Sequence, residues 1–247
     1  MKPASELVSS AYGPAVETNG LCAEHGQSAV KAIGPAGWYC VTCMEATLKA
    51  DSRSVWEAER HEHLKKVADI PAKFRGKAFK ATTPGQKAAR AMVKSYRDFI
   101  LKERTWAVLV LSGTVGTGKT LMACEFAQAL IENCGWQVRY CTAAGMISEI
   151  QASYSMDDKT EAGEVERFVR YEVLILDEID VKGAGQNANK LLTEVINRRY
   201  NAGRPVVIIT NQAFGTLVDF VGDRVLDRMH ENSFFAEFNW PSARRQA

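Results

Sequence analysis

The feature that most constrains this 247-residue chain is a glycine loop set between an apolar run and a helix-forming run. Residues 106–111, Trp-Ala-Val-Leu-Val-Leu, read as a short strand buried on both faces of a parallel sheet. They lead into Gly113, Thr114, Val115, Gly116, Thr117, Gly118, Lys119 and Thr120, and a helical run follows from Leu121 to residue 132. Gly-x-x-x-x-Gly-Lys-Thr between a strand and a helix is a phosphate-binding loop. The glycines let backbone N–H groups approach phosphate oxygens, and the helix N-terminus adds its positive end. Lys119 is placed to reach the β- and γ-phosphates of ATP, and the Thr120 hydroxyl to bind Mg²⁺.

A second apolar run, residues 173–176, ends in Asp177-Glu178. Ligands of parallel sheets bind beyond the carboxyl ends of the strands. Asp177 is therefore the candidate magnesium carboxylate, and Glu178 the candidate base that polarises an attacking water. A further strand, 205–210, ends at Asn211, whose amide either orients that water or caps the next helix. Strands at 136–141 and 234–240 and helices at 143–154, 186–200 and 214–229 complete an α/β alternation. It predicts a parallel sheet between two layers of helices. The acidic residues 157–166 read as an exposed loop.

The six cysteines fall into two groups. Cys22-Ala-Glu-His25 and Cys40-Val-Thr-Cys43 are two ligand pairs, each with two intervening residues, as in a closed structural Zn²⁺ site. Two disulfides drawn from the six cysteines, or unrelated buried cysteines, are the alternative, disfavoured in a cytoplasmic chain without a signal peptide. Cys124, Cys134 and Cys141 fall on core elements and read as small buried apolar residues. His61 and His63 lie in a charged helical run and read as solvated.

These signals divide the chain into a zinc-binding head (1–50), a helical and basic linker (51–104) and a nucleotide-binding domain (105–247). Net charge is only +2, but between Lys65 and Arg104 there are 12 basic and 3 acidic residues. That stretch tracks nucleic acid, faces an acidic partner or is simply solvated. No apolar run reaches the ~20 residues that span a bilayer. The chain is expected in the cytoplasm, with no membrane partner.

The assembled pieces resemble the AAA+ ATPases of the DnaC type, the bacterial and phage loaders of the replicative helicase. The matching residues are 113–120, 174–179, Asn197-Arg-Arg199, Thr210-Asn211, Gly222-Asp-Arg224-Val-Leu-Asp-Arg228-Met and Phe238-Asn-Trp240, within residues 70–244. The zinc head followed by Ile70-Pro-Ala-Lys-Phe-Arg resembles phage and prophage versions. The resemblance implies an AAA+ P-loop core, with Arg228 (or its rival Arg224) as the arginine finger that enters a neighbouring subunit's ATP site. It implies Arg244 as the arginine that contacts the γ-phosphate of its own subunit. It also implies self-association through the ATP site, and single-stranded DNA held by a stacking Tyr154 and by Lys182 and Lys190. No helical lid is expected after residue 247, so isolated subunits should hydrolyse ATP weakly.

The function this implies is ATP-dependent loading of a DnaB-type hexameric helicase onto single-stranded DNA, with the zinc head on the helicase. The alternatives are a transposition helper ATPase of the IstB type and a non-catalytic helicase-binding adaptor. An intact Glu178 speaks against the adaptor.

Overall fold

The computed structural model describes residues 15–22, 25–26, 28–32, 38–153, 160–179, 186–212 and 222–242. The chain forms two compact units that divide between Arg60 and His61. In the first, β1 (Ala15–Leu21), β2 (Ser28–Ala32) and β3 (Trp38–Tyr39) make a small antiparallel sheet in the order β1-β2-β3. Helix α1 (Val41–Ala68) follows.

The second unit is a three-layer α/β/α fold around a five-stranded parallel sheet. The strands are β4 (Val108–Gly113), β5 (Val138–Thr142), β6 (Val173–Asp177), β7 (Val206–Thr210) and β8 (Ser233–Phe238). Their order is β5-β6-β7-β4-β8, so β4 sits between β7 and β8. The near-continuous apolar runs follow from burial on both faces. Leu109, Leu111, Ile175 and Val207 pack into one core; Val108, Val110, Leu174, Leu176 and Ile208 pack into the other.

Two helices cover the first face. Helix α2 (Pro84–Glu103) starts with a capping box between Thr83 and Gln86 and a proline in its first turn. It buries Ala89, Val93, Tyr96 and Ile100. Tyr96 Oη donates to the Val206 carbonyl at 3.1 Å. The 61–104 part of the stretch read as a linker thus lies in the second unit, and Lys87, Arg90, Lys94 and Lys102 are exposed on a helix that belongs to the core. Helix α3 (Lys119–Cys134) begins at the glycine loop.

The second face carries α4 (Ala143–Ala152), α5 (Glu161–Arg170), α6 (Gln186–Asn201) and α7 (Asp223–His230). Helix α5 corrects the reading of 157–166 as a loop, as far as those residues are described. Thr160 caps it by accepting from Gly163 N, and Val165, Phe168 and Val169 are buried at helical spacing. Glu164 pairs with Arg167 at 2.7 Å instead of standing free. Cys124 and Cys141 are buried as expected, but Cys134 is exposed, because it ends α3 just before Gly135. His63 is exposed and His61 partly so. The expected helix at 214–229 is described only from Asp223, and residues 213–221 lie outside the described set.

One fully buried arginine ties the end of α5 and the segment before β6 to the segment before β7. Arg199 donates to the carbonyls of Phe168, Val169, Tyr171 and Pro205 at 2.7–3.1 Å. Carbonyl dipoles, in place of a carboxylate, solvate its charge. Among the described residues, no helix is long and apolar enough to cross a membrane.

Candidate functional site

Parallel pairing sets the site at the carboxyl edge of the sheet. Ser112 on β4 is in register with Thr210 on β7, and Gly113 with Phe238 on β8. The first residues beyond these strands therefore converge. Phe74, Gly116, Lys119, Thr120, Asp177, Glu178 and Asn211 line one open cleft.

Two glycines of the loop are required by close packing. Gly113 has φ +136°, and a Cβ there would lie 2.3 Å from the Phe238 carbonyl oxygen. Gly118 has φ +98°, and its Cβ would meet the Phe79 ring at 2.7 Å. Phe79, Phe238 and Trp240 form an aromatic support beneath the loop, with ring centroids 4.7–6.2 Å apart. Trp240 Nε1 donates to the Thr117 carbonyl at 3.0 Å. The Phe238-Asn-Trp240 stretch, quoted above only as a family mark, thus has a physical task. Phe74 and Phe79 were not singled out, because only the fold brings them to the loop.

Lys119 is buried, and its ammonium donates to the carbonyls of Gly113 (2.7 Å) and Thr114 (2.9 Å) and to Asn211 Oδ1 (2.9 Å). Asp177 is 6% exposed. Its Oδ2 accepts from Thr120 Oγ1 at 2.9 Å and from Tyr140 Oη at 2.8 Å; its Oδ1 accepts from Glu178 N at 2.9 Å. Burial, then the Asp177 charge, pushes the Tyr140 phenol far above its ordinary range, so it remains a donor. Thr120 and Asp177 offer the hard oxygen donors that suit Mg²⁺. Glu178 is exposed and sits at φ +52°, a left-handed conformation unusual for glutamate, with its N–H tied back to Asp177.

Arg228 is one turn after Arg224 on α7. Its guanidinium lies 4.7 Å from the Tyr200 ring centroid and donates to Asn197 Oδ1. The Arg228 carbonyl accepts from Trp106 Nε1 at 3.0 Å, which fixes this end of α7 to the sheet. Lys190 is exposed on α6. Tyr154, Lys182 and Arg244 lie outside the described residues.

The first unit brings Cys22, His25, Cys40 and Cys43 together, with one ligand atom from each within 4.8 Å of the others. A Zn²⁺ tetrahedron with Zn–S of about 2.3 Å and Zn–N of about 2.0 Å has edges of about 3.5–3.8 Å. The observed separations are 3.7 Å for Cys22 Sγ to Cys43 Sγ, and 3.3–3.7 Å from His25 Nδ1 to the three sulfurs. The Gly26 N–H donates to the Cys22 carbonyl, and the Cys43 N–H to Cys40 Sγ, forming the two tight turns that present the ligand pairs. Desolvation, then the neighbouring Cys22 and Cys40 sulfurs, pushes the Cys43 thiol up to about 12. The donor set and its dimensions fit a structural zinc ion.

Comparison with known proteins bears on the fold and the family. The chain is 30% identical over 171 residues to the uncharacterized protein YdaV of Escherichia coli (strain K12), covering 67% of this chain and 66% of YdaV. It is 28% identical over 139 residues to the replicative helicase loader DnaC of the same organism, covering 56% of each. It therefore spans between about half and two thirds of the length of these relatives. The crystal structure of the DnaC helicase loader superposes with a TM-score of 0.58 at 18% identity, over 68% of this chain and 99% of that one, which is a likeness of fold. The family model described as IstB-like ATP binding protein matches residues 42–246, and the chain belongs to this IstB/DnaC-like AAA+ family.

Proposed function

We propose that this chain is an ATP-driven loader of a replicative, DnaB-type hexameric helicase onto single-stranded DNA during replication initiation. The observation that carries this reading is the convergence of Lys119, Thr120, Asp177, Glu178 and Asn211 on one cleft, in a chain whose relatives include helicase loaders. Residues 113–121 cradle the phosphates, and Lys119 moves its ammonium from loop carbonyls to the β- and γ-phosphates. Thr120 and Asp177 hold Mg²⁺, which neutralises phosphate charge when bound. Glu178 takes a proton from the attacking water while Asn211 orients that water. The water oxygen bonds to the γ-phosphorus as the bond from that phosphorus to the β–γ bridging oxygen breaks, and ADP and phosphate leave. Arg228 of one copy stabilises the transition-state charge at the site of its neighbour, and Arg244 contacts the γ-phosphate of its own copy. Assembly is therefore tied to ATP, and hydrolysis loosens it.

In this reading the zinc-binding head contacts the helicase. Tyr154 stacks on a base and Lys182 and Lys190 contact phosphates of single-stranded DNA. The test is co-elution with the replicative helicase on a sizing column, with mass by light scattering, with and without ATP. A defined complex that dissolves on zinc chelation is expected; no complex under either condition contradicts the reading.

The matching family is described as IstB-like ATP binding protein, and the second reading is accordingly a helper ATPase of the IstB type, expected to act in transposition on duplex DNA. A loader prefers single strands. Tighter ATP-dependent binding to duplex than to single-stranded oligonucleotides of equal length selects the helper.

A further inference from the structure

Tyr140 stands outside the motifs that define the nucleotide site, yet its hydroxyl reaches the centre of that site. It projects from β5, the edge strand next to β6, and its ring is buried in the core on the α2–α3 face of the sheet. Its Oη donates at 2.8 Å to Oδ2 of Asp177. That oxygen also accepts from Thr120 Oγ1, so the two metal-binding candidates and Tyr140 share one atom. The other oxygen, Oδ1, accepts from Glu178 N. With three donors from three directions, the carboxylate has one orientation that satisfies them all. Remove the phenol, and the remaining two donors lie on the loop side and on the carboxylate's own strand. Among the described residues, no other side-chain hydrogen bond then reaches the carboxylate from β5.

We infer that Tyr140 is a positioning residue for magnesium: it fixes the Asp177 carboxylate in the orientation in which Asp177 and Thr120 act together on one ion. This rests on the reading of Asp177 as the magnesium carboxylate. Partners that orient a metal-binding carboxylate typically contribute about 10–100-fold to metal affinity.

A merely structural hydroxyl makes a different prediction, and the chain supplies the control. Tyr96 is a fully buried tyrosine of the same core, and its Oη donates to the Val206 carbonyl, away from Asp177. Tyr140→Phe and Tyr96→Phe each remove one buried hydroxyl and keep the ring. The experiment measures binding of a fluorescent, non-hydrolysable ATP analogue to the full chain while Mg²⁺ is titrated, and again in EDTA. Thermal melts establish that each variant is folded.

Tyr140→Phe is expected to raise the Mg²⁺ concentration at half-effect about 10-fold, with affinity in EDTA unchanged and Tyr96→Phe like the parent chain. The inference is overturned if the Mg²⁺ midpoint does not move in Tyr140→Phe, or moves equally in Tyr96→Phe, while Lys119→Ala still abolishes analogue binding. If Lys119→Ala and Asp177→Asn both leave analogue binding and its Mg²⁺ dependence intact, the reading of the nucleotide site itself falls, and this inference with it.

Discussion

The Lys119 ammonium donates to Asn211 Oδ1 across 2.9 Å, joining the phosphate loop to the residue that follows β7. The same ammonium holds two loop carbonyls, so a triphosphate must compete with bonds already made. Asn211→Ala removes one competitor and one water-orienting group together. It is expected to bind an ATP analogue at least as tightly as the parent chain and to lose about 100-fold in turnover, the typical effect of deleting one oriented hydrogen-bonding group. Equilibrium binding and single-turnover phosphate release check the two halves separately.

Arg228 does not hang free in solvent: Tyr200 stacks beneath it, and the Asn197 amide oxygen accepts from its guanidinium. In the finger role proposed for it, a guanidinium held this way keeps its planar end oriented while the chain is alone. Arg228→Ala should leave analogue affinity unchanged in the isolated chain and reduce turnover of the assembled form by about 1,000-fold. Arg228→Lys should not restore it, because an ammonium neither stacks nor forks. Steady-state phosphate release at low and at assembling protein concentration makes the distinction.

The Cys22, His25, Cys40 and Cys43 cluster predicts a pH dependence of defined sign. The Cys43 thiol is raised to about 12, so in the metal-free chain it is protonated at neutral pH and must release its proton when Zn²⁺ binds. Apparent Zn²⁺ affinity should therefore rise as pH is raised from about 6 to about 8. Competition with a chromophoric chelator at each pH measures this. Cys43→Ser should lose tight binding at both, with analogue binding at the ATP site unaffected.

Arg199 is a stability prediction. Its replacement by Met removes the arginine donor from the carbonyls of Phe168, Val169 and Tyr171, while the Pro205 carbonyl keeps the Leu174 N–H at 3.4 Å. Each carbonyl that loses its donor costs about 1–3 kcal/mol, so a loss of at least about 3 kcal/mol is expected in urea unfolding.

Much of this was legible in the sequence because the sheet is parallel. Strands buried on both faces spell out as apolar runs, and the residue after each run lands at the carboxyl edge. Lys119, Asp177 and Asn211 could be assigned to one site for that reason. Helix α5 was not legible, since its charged residues outnumber the three that matter, Val165, Phe168 and Val169. Tyr140 was hidden because its partner lies 37 residues away on a neighbouring strand. Phe79 and Trp240 come from opposite ends of the second unit to meet under the loop, an encounter that no local pattern encodes.

The most direct test of the loader reading is to count replicative helicase hexamers retained on single-stranded DNA circles, with this chain and ATP, with this chain alone, and with Lys119→Ala. The account predicts retention that requires both chain and ATP and disappears with Lys119→Ala, whose ammonium no longer serves the phosphates. Equal retention without the chain, or undiminished retention with Lys119→Ala, would contradict it.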